Sequence, residues 1–332
     1  MSKLKLLVAK TYFERSEFDP LRKYADVYWY EDLGPKELDR VLPQIDLMFS
    51  HGWPPSLDGG KAAKMKKLRF VQAGNAGVDG MRFDLFDKSV VFCSNVGGYS
   101  EEVAEFAMAL VLAGSKKIVQ FDAEIRAGTA RKGIDASVQN KLATQVVVLK
   151  GKKLGVIGYG AIGRATARLA RGFGMETLAF GRRKTIEAGV KAFRGRAGLT
   201  RMLGESDALV LGLPLTTKTR GFIGRKELAA MKADAIFVNI ARGEVVDEDA
   251  LYEHLVKNPG FMFATDVWWE RDGRESFSPR LPFLKLGNFI GTPHVSGPSA
   301  LVTRSASKNA IANMIRFCKG KPVRNVVDTS EY

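Results

Sequence analysis

The groups best suited to chemistry in this 332-residue chain are a bare glycine turn, one arginine, one histidine and a strand-end acid. The segment Leu154-Gly155-Val156-Ile157-Gly158-Tyr159-Gly160-Ala161-Ile162-Gly163-Arg164 ends a short apolar run in G-x-G-x-x-G and continues as an Ala/Arg/Leu-rich helical pattern. In that strand–turn–helix setting Gly158 allows the tight turn, Gly160 lets backbone approach a pyrophosphate, and Gly163 lets the helix pack on the strand. The helix N-terminus adds unpaired N–H groups and the positive end of a dipole, which suit phosphate. A bare G-x-G-x-x-G is weak in a chain with 34 glycines. Its flanking strand and helix favour a dinucleotide-binding turn over a plain structural one.

Three further segments place reactive side chains just past apolar strands. Phe237-Val238-Asn239-Ile240-Ala241-Arg242-Gly243 sets Arg242 at the carboxyl end of a strand, where ligands sit in an open α/β sheet. A guanidinium there can clamp a carboxylate with two parallel hydrogen bonds, although a lone arginine after a strand is more often a surface residue. Gly291-Thr292-Pro293-His294-Val295-Ser296-Gly297 holds His294 in a stiff turn, and histidine exchanges a proton near neutral pH. On this segment alone a structural turn histidine is the simpler reading. Of the other two histidines, His51 lies in a Gly/Pro loop and His254 in a polar helix, where solvent exposure explains it. Phe263-Ala264-Thr265-Asp266-Val267-Trp268-Trp269-Glu270 ends another strand with acids that can orient an imidazole.

The elements that must position these groups fall into two alternating series. Short apolar or β-branched runs at Leu4–Ala9, Val27–Tyr30, Leu47–Ser50, Phe70–Gln72 and Val90–Cys93 read as strands with helical or turn segments between them. Ser100 caps a long helix whose apolar face reads as Val103, Phe106, Leu110 and Leu112 or Ala113. Residues 126–150 are basic and weakly patterned, an arm or long connection. The second series has strands at Leu154–Ile157, Thr177–Phe180, Ala208–Leu211, Ala235–Asn239, Phe261–Thr265 and Asn288–Gly291. The helix after the glycine turn puts Ile162, Ala165, Leu169 and Phe173 on one stripe, and a final helix runs from Leu301 to Lys319.

Length suggests two domains, and no apolar run is long enough to span a bilayer. Cys93 and Cys318 have no C-x-x-C spacing, so neither a disulfide framework nor a metal site is supported, and a reducing cytoplasm is the simplest setting. The net charge of +15 admits nucleic acid as a partner. The basic residues are scattered, however, and the densest cluster, Lys61 to Arg69, lacks aromatic interleaving, so no nucleic-acid partner is expected.

In order and content these motifs resemble the D-isomer-specific 2-hydroxyacid dehydrogenase family, over nearly the whole chain. The resemblance rests on Asn75-Ala76-Gly77-Val78-Asp79, Val103-Ala104-Glu105, the glycine turn, Leu213-Pro214-Leu215-Thr216, Asn239-Ile240-Ala241-Arg242-Gly243, Asp266-Val267-Trp268 and Thr292-Pro293-His294. It implies an α/β architecture of two Rossmann-like, doubly wound parallel-sheet domains with a cleft between them. The outer, substrate domain would be residues 1–97 plus 298–332, and the dinucleotide-binding domain residues 98–297, through which a homodimer forms. It implies that Arg242 binds the substrate carboxylate with Asn75, Ala76 and Gly77, and that His294 exchanges a proton with the C2 oxygen as hydride moves to or from a nicotinamide. It implies cofactor contacts at Gly158, Gly160, Ala161, Ile162, Gly163, Arg182, Arg183, Leu213, Pro214, Thr219, Ile240, Ala241 and Asp266.

The chain departs from the family at the acid that partners the histidine. The family's glutamate lies five positions past the strand-end aspartate, which here is Arg271. Glu270 is the nearest carboxylate and takes the role, with Asp272 the other candidate. The cofactor reading turns on the next strand end, Phe180-Gly181-Arg182-Arg183-Lys184. NAD sites place an acid there to accept from the ribose 2′-OH, whereas Gly181 leaves room and the cations suit a 2′-phosphate. NADP(H) is therefore favoured, with NAD(H) possible. The expected function is reduction of a small 2-oxo acid, such as glyoxylate or hydroxypyruvate, to its D-2-hydroxy acid. The competing reading is a dinucleotide-sensing, corepressor-like binding protein of the same fold, which turnover of 2-oxo acids would exclude.

Overall fold

Four-residue apolar runs form strands here because both faces of each sheet are covered, so every position in the run is buried. The computed structural model describes residues 3–128, 144–182, 187–297 and 300–332. The chain divides into two compact units, Met1–Tyr99 with Pro298–Tyr332, and Ser100–Gly297.

In the first unit β1 (Leu4–Lys10), β2 (Ala25–Trp29), β3 (Leu47–Ser50), β4 (Phe70–Ala73) and β5 (Val91–Cys93) form one parallel sheet in the order β2-β1-β3-β4-β5. Successive side chains alternate between two cores, as a pleated strand requires. Leu6, Val8, Leu47, Phe49 and Phe70 pack on one face with Ala306, Ala310 and Met314 of the helix Ala300–Cys318. Leu7, Met48 and Val71 pack on the other face with Leu38, Leu42 and Leu57.

The second unit holds β6 (Lys153–Ile157), β7 (Glu176–Phe180), β8 (Val190–Phe193), β9 (Ala208–Leu211), β10 (Ile236–Asn239), β11 (Met262–Thr265) and β14 (Phe289–Gly291). They form a seven-stranded parallel sheet in the order β14-β11-β10-β9-β6-β7-β8. A separate two-stranded antiparallel hairpin pairs β12 (Glu270–Arg271) with β13 (Arg274–Glu275). The two parallel-sheet α/β units bear out the expected fold class. All the strands read from the sequence are present, with ends shifted by at most two residues, whereas β8 and the hairpin were not anticipated.

Two helix faces differ from the pattern reading. The helix Ser100–Lys116 buries Val103, Ala104, Ala107, Met108, Leu110, Val111 and Gly114, while Phe106, Leu112 and Ala113 are half-buried. The helix Ala161–Gly172 buries Gly163, Ala165, Thr166, Ala167 and Ala170, and leaves Phe173 44% exposed. Small residues face inward because the helix lies close on the sheet: a Cβ on Gly114 would come 3.0 Å from Met262 Cγ in β11 and 3.2 Å from Ile236 Cγ2 in β10. Lys117, at φ 51°, breaks the first helix from Ile118–Arg126, which buries none of its residues. Most of the expected arm, residues 129–143, lies outside the described residues.

Candidate active site

Because β14, β11, β10, β9 and β6 are parallel neighbours, their carboxyl ends fall along one edge of the second unit's sheet. The glycine turn after β6, the Leu213-Pro214 turn after β9, Ile240–Arg242 after β10, Asp266 after β11 and Thr292–His294 after β14 all sit on that edge.

The glycine turn has the shape a dinucleotide needs. Gly158 has φ 103°, and a Cβ there would lie 2.7 Å from the Gly212 backbone. A Cβ on Gly163 would lie 2.4 Å from Gly158 O, so the helix rests directly on the turn. Gly160 is different: a Cβ there meets nothing within 4 Å, so its open side faces away from protein. Gly160 is also the N-cap of the helix and supplies no side-chain cap, so Ala161, Ile162 and Gly163 carry the first-turn N–H groups. These features fit a pyrophosphate. Tyr159 folds inward, only 3% exposed, and donates from Oη to Glu187 Oε2 at 2.6 Å. Burial, and then Glu187, push the phenol up to about 12. Glu187 Oε1 also lies 3.6 Å from Arg164 Nε. At the next strand end a Cβ on Gly181 would press to 3.3 Å from the Tyr159 N atom, so an acid there would have to move the turn. Arg182 is exposed, and Arg183 lies outside the described residues. Thr219 spends its hydroxyl on its own turn, donating to Pro214 O at 2.6 Å and accepting from Thr216 N at 2.8 Å.

Arg242 stands on a turn clamped by a buried amide. Asn239 is fully buried, accepts from Ala241 N at 3.0 Å and donates to Arg242 O at 2.9 Å. The Arg242 backbone is extended, and its Nη1 donates to Ala241 O at 2.8 Å. The next residue must be glycine, since a Cβ on Gly243 would lie 2.3 Å from the Trp268 carbonyl carbon. This contact presses the arginine loop against the segment after β11. Trp269 Nε1 donates to Val246 O at 2.9 Å and Glu270 N to Glu244 Oε1 at 2.6 Å, which fasten the two together.

His294 is held from both sides. Asp266, with no exposed surface, accepts from Thr292 Oγ1 at 2.7 Å, Val295 N at 3.0 Å and Ser296 N at 2.8 Å, which folds the 292–296 turn around its carboxylate. Within that turn His294 adopts φ 53°. Non-glycine residues rarely enter this left-handed region, and such backbone costs about 1–3 kcal/mol, so the surroundings enforce it. Its Nδ1 lies 2.5 Å from Glu275 Oε2. A carboxylate only accepts, so Nδ1 carries the proton and Nε2 is the atom left to exchange one. The other oxygen, Glu275 Oε1, accepts from Trp268 N at 2.6 Å, while Trp268 Nε1 donates to Thr292 O at 2.8 Å.

The partner of His294 is thus Glu275, neither Glu270 nor Asp272. The reason is the hairpin. Asp272 (φ 52°) and Gly273 (φ 73°) form its two-residue turn, and Glu270 pairs with Glu275 across it. The chain leaves at Glu270 and returns to the same level at Glu275, which turns in towards the histidine. The Asp-Gly dipeptide was the sequence signal that could have found this.

Of the other two histidines one is buried and one half-buried. His51 is 2% exposed at the end of β3, and His254 packs edge-on to Phe261 at 4.6 Å, its basicity lowered by burial. In the first unit Asn75, Ala76 and Gly77 lie in the half-buried loop after β4. Trp53 is a packing residue, its Nε1 on Leu57 O at 2.9 Å and its ring 5.6 Å from Phe86.

Residues 108–296 match the family model described as D-isomer specific 2-hydroxyacid dehydrogenase, NAD binding domain. The chain is 34% identical over 277 residues to a glyoxylate/hydroxypyruvate reductase B of Pectobacterium carotovorum subsp. carotovorum, covering 81% of this chain and 83% of that protein. It is 28% identical to a glyoxylate reductase of Aeropyrum pernix, covering 99% and 97%. Its fold is similar to that of a D-isomer specific 2-hydroxyacid dehydrogenase from Xanthobacter autotrophicus Py2, solved with NADPH and MES, with a TM-score of 0.80, 26% identity and full coverage of both chains. With the family model matching more than half of its length and running past His294, this chain belongs to the D-isomer-specific 2-hydroxyacid dehydrogenases and is a nicotinamide-dependent oxidoreductase.

Proposed function

We propose that the protein reduces a small 2-oxo acid, glyoxylate or hydroxypyruvate foremost, to the D-2-hydroxy acid, and prefers NADPH to NADH. The observation that carries this reading is the Glu275–His294 pair, which fixes the imidazole with Nε2 available on the sheet edge that also bears Arg242. A nicotinamide, once bound at the glycine turn, would supply hydride chemistry at C2. Arg242 holds the substrate carboxylate through its planar fork and polarises the 2-oxo group. Protonated His294 gives the Nε2 proton to the C2 oxygen, and Glu275 stabilises the imidazolium that precedes this transfer. Asp266 keeps the histidine turn folded, and Ile240, Ala241, Leu213 and Pro214 would hold the nicotinamide end. Asn75, Ala76 and Gly77 of the first unit add polar contacts to the carboxylate, the latter two through their backbone N–H groups.

The NADPH preference is supported by the missing acid at Gly181, by the exposed Arg182 beside it, and by Glu187 being engaged by Tyr159. The Xanthobacter protein was solved with NADPH, which agrees with it. A homodimer formed through the second unit is supported by the helix Ile118–Arg126, which exposes Ile118, Val119 and Ile125 at 56%, 48% and 66%. Mass in solution by light scattering tests it. Two free cysteines agree with a reducing, cytoplasmic setting. Among the described residues no helix is long and apolar enough to cross a membrane. The functional test is a panel of 2-oxo acids with both reduced nicotinamides. The highest kcat/KM is expected for glyoxylate or hydroxypyruvate with NADPH, and absence of turnover across the panel would overturn the reading.

A further inference from the structure

The first unit contains a buried histidine that the reaction above does not use. His51 sits at the carboxyl end of β3, packed against Phe13 at 4.5 Å and Phe49 at 5.2 Å between ring centroids. Its Nδ1 accepts from Tyr12 N at 3.3 Å. A ring nitrogen that accepts a backbone N–H bears no proton, so in the neutral ring the proton is on Nε2. Nε2 lies 3.3 Å from Tyr99 Oη, and Tyr99 Oη donates in turn to Gly74 O at 3.1 Å. Tyr12 N–H, His51, Tyr99 and Gly74 O therefore form one directional chain of hydrogen bonds.

That chain ends on the backbone leading into Asn75-Ala76-Gly77. Gly74 is glycine because the imidazole lies flat on it: a Cβ would fall 2.5 Å from His51 Nε2 and Cδ2. Gly74 N donates to Ser50 O at 2.8 Å, Asn95 Nδ2 donates to Gly74 O at 2.9 Å, and Asn95 N donates to Asn75 O at 2.8 Å. The loop is thus gripped on one face by the ring and at its carbonyls by Tyr99 and Asn95. The hydrogen bonds of this grip run between uncharged groups. A neutral, fully satisfied polar network rigidifies what it touches.

We infer that His51, acting through Tyr99, is a positioning residue for substrate: the pair holds the Gly74–Gly77 loop so that its backbone N–H groups meet the carboxylate of the 2-oxo acid. This rests on the proposed 2-oxo acid reduction, and on Ala76 and Gly77 binding that carboxylate. A loosened loop weakens substrate binding without touching hydride or proton transfer, and leaves the cofactor site of the second unit alone.

The test compares His51→Phe with Tyr99→Phe, which removes a single hydroxyl and keeps the ring. Each is expected to raise KM for the 2-oxo acid about fivefold to tenfold, the scale of one or two lost hydrogen bonds, with kcat and the NADPH dissociation constant nearly unchanged. Amide exchange of residues 74–78 is expected to quicken in both variants. If His51→Phe fails to fold, Tyr99→Phe decides alone. A wild type that turns over 2-oxo acids while Tyr99→Phe leaves KM and that exchange unchanged overturns this inference only. A fall in kcat at constant KM also overturns it. A wild type inactive on every 2-oxo acid overturns the functional reading and this inference together.

Discussion

Each unit places a histidine at the carboxyl end of a parallel strand, and the two could hardly be more differently housed. His51 is 2% exposed among phenyl rings, with backbone and a phenol as its polar contacts. Burial, with Lys10 nearby, lowers it to about 4. The His294 side chain is 39% exposed, in strained backbone, with a carboxylate at 2.5 Å. The first ring stays neutral and can only hold. The second has a counter-charge for its cationic form and an open nitrogen, so it can carry a proton in and out. Residue type and sheet position are common to both. The difference in work comes from what surrounds each ring.

The largest effect that would sharpen this contrast is loss of the exchanging ring. His294→Ala is expected to lower kcat at least ~100-fold with little change in NADPH affinity, because a positioned acid–base group contributes about 10²–10⁴. Near-normal turnover would make the two histidines equivalent and break the comparison. Arg242→Lys comes next. A point charge cannot replace a planar fork, so kcat/KM for the best 2-oxo acid is expected to fall more than ~10-fold, or about 1.4 kcal/mol, and a smaller loss would mean no bidentate clamp. Arg182→Ala acts on the same unit more mildly. It is expected to shift the NADPH/NADH ratio of kcat/KM about tenfold toward NADH, as loss of one charge-assisted contact would; an unmoved ratio removes Arg182 as the phosphate contact. It is a cleaner test than an acid at Gly181, which the tight approach to Tyr159 would confound.

The other half of the comparison is read in stability rather than in rate. His51 titrates near 4 when folded and near 6.5 when unfolded, so between those values the unfolded chain binds more protons. Stability therefore rises with pH through that window, and about 3 kcal/mol is lost as pH falls from 6.5 to 4. Urea unfolding at pH 7 and pH 4.5 measures it, and His51→Phe is expected to shrink the difference. An equal difference in wild type and variant would show that other groups set the acid limb.

Where strands are buried on both faces they were legible as unbroken apolar runs, and Leu47–Ser50 and Ala208–Leu211 match to the residue. The edge strand β8 is Val-Lys-Ala-Phe with two exposed positions, so no such run marks it. Helix faces were misread because close packing selects Gly114, Gly163 and Ala167 rather than the largest apolar side chains. Arg242 and His294 could be picked out by their strand-end places and by the resemblance. The acid was missed, because its position depends on the register of a charged hairpin, Glu-Arg-Asp-Gly-Arg-Glu, that lacks the alternation of a strand and is marked only by its Asp-Gly turn. Counting along the chain gives Glu270, whereas folding at Asp272-Gly273 brings Glu275 to the imidazole.

That pairing decides how the site works, and kcat/KM of Glu275→Gln beside Glu270→Gln tests it most directly. With an amide in place of the carboxylate the imidazole loses its charged partner on Nδ1, so Glu275→Gln is expected to lower kcat/KM about 10-fold or more. Glu270→Gln is expected to keep the wild-type value. A loss in Glu270→Gln with Glu275→Gln left fully active would contradict the hairpin's role in holding His294.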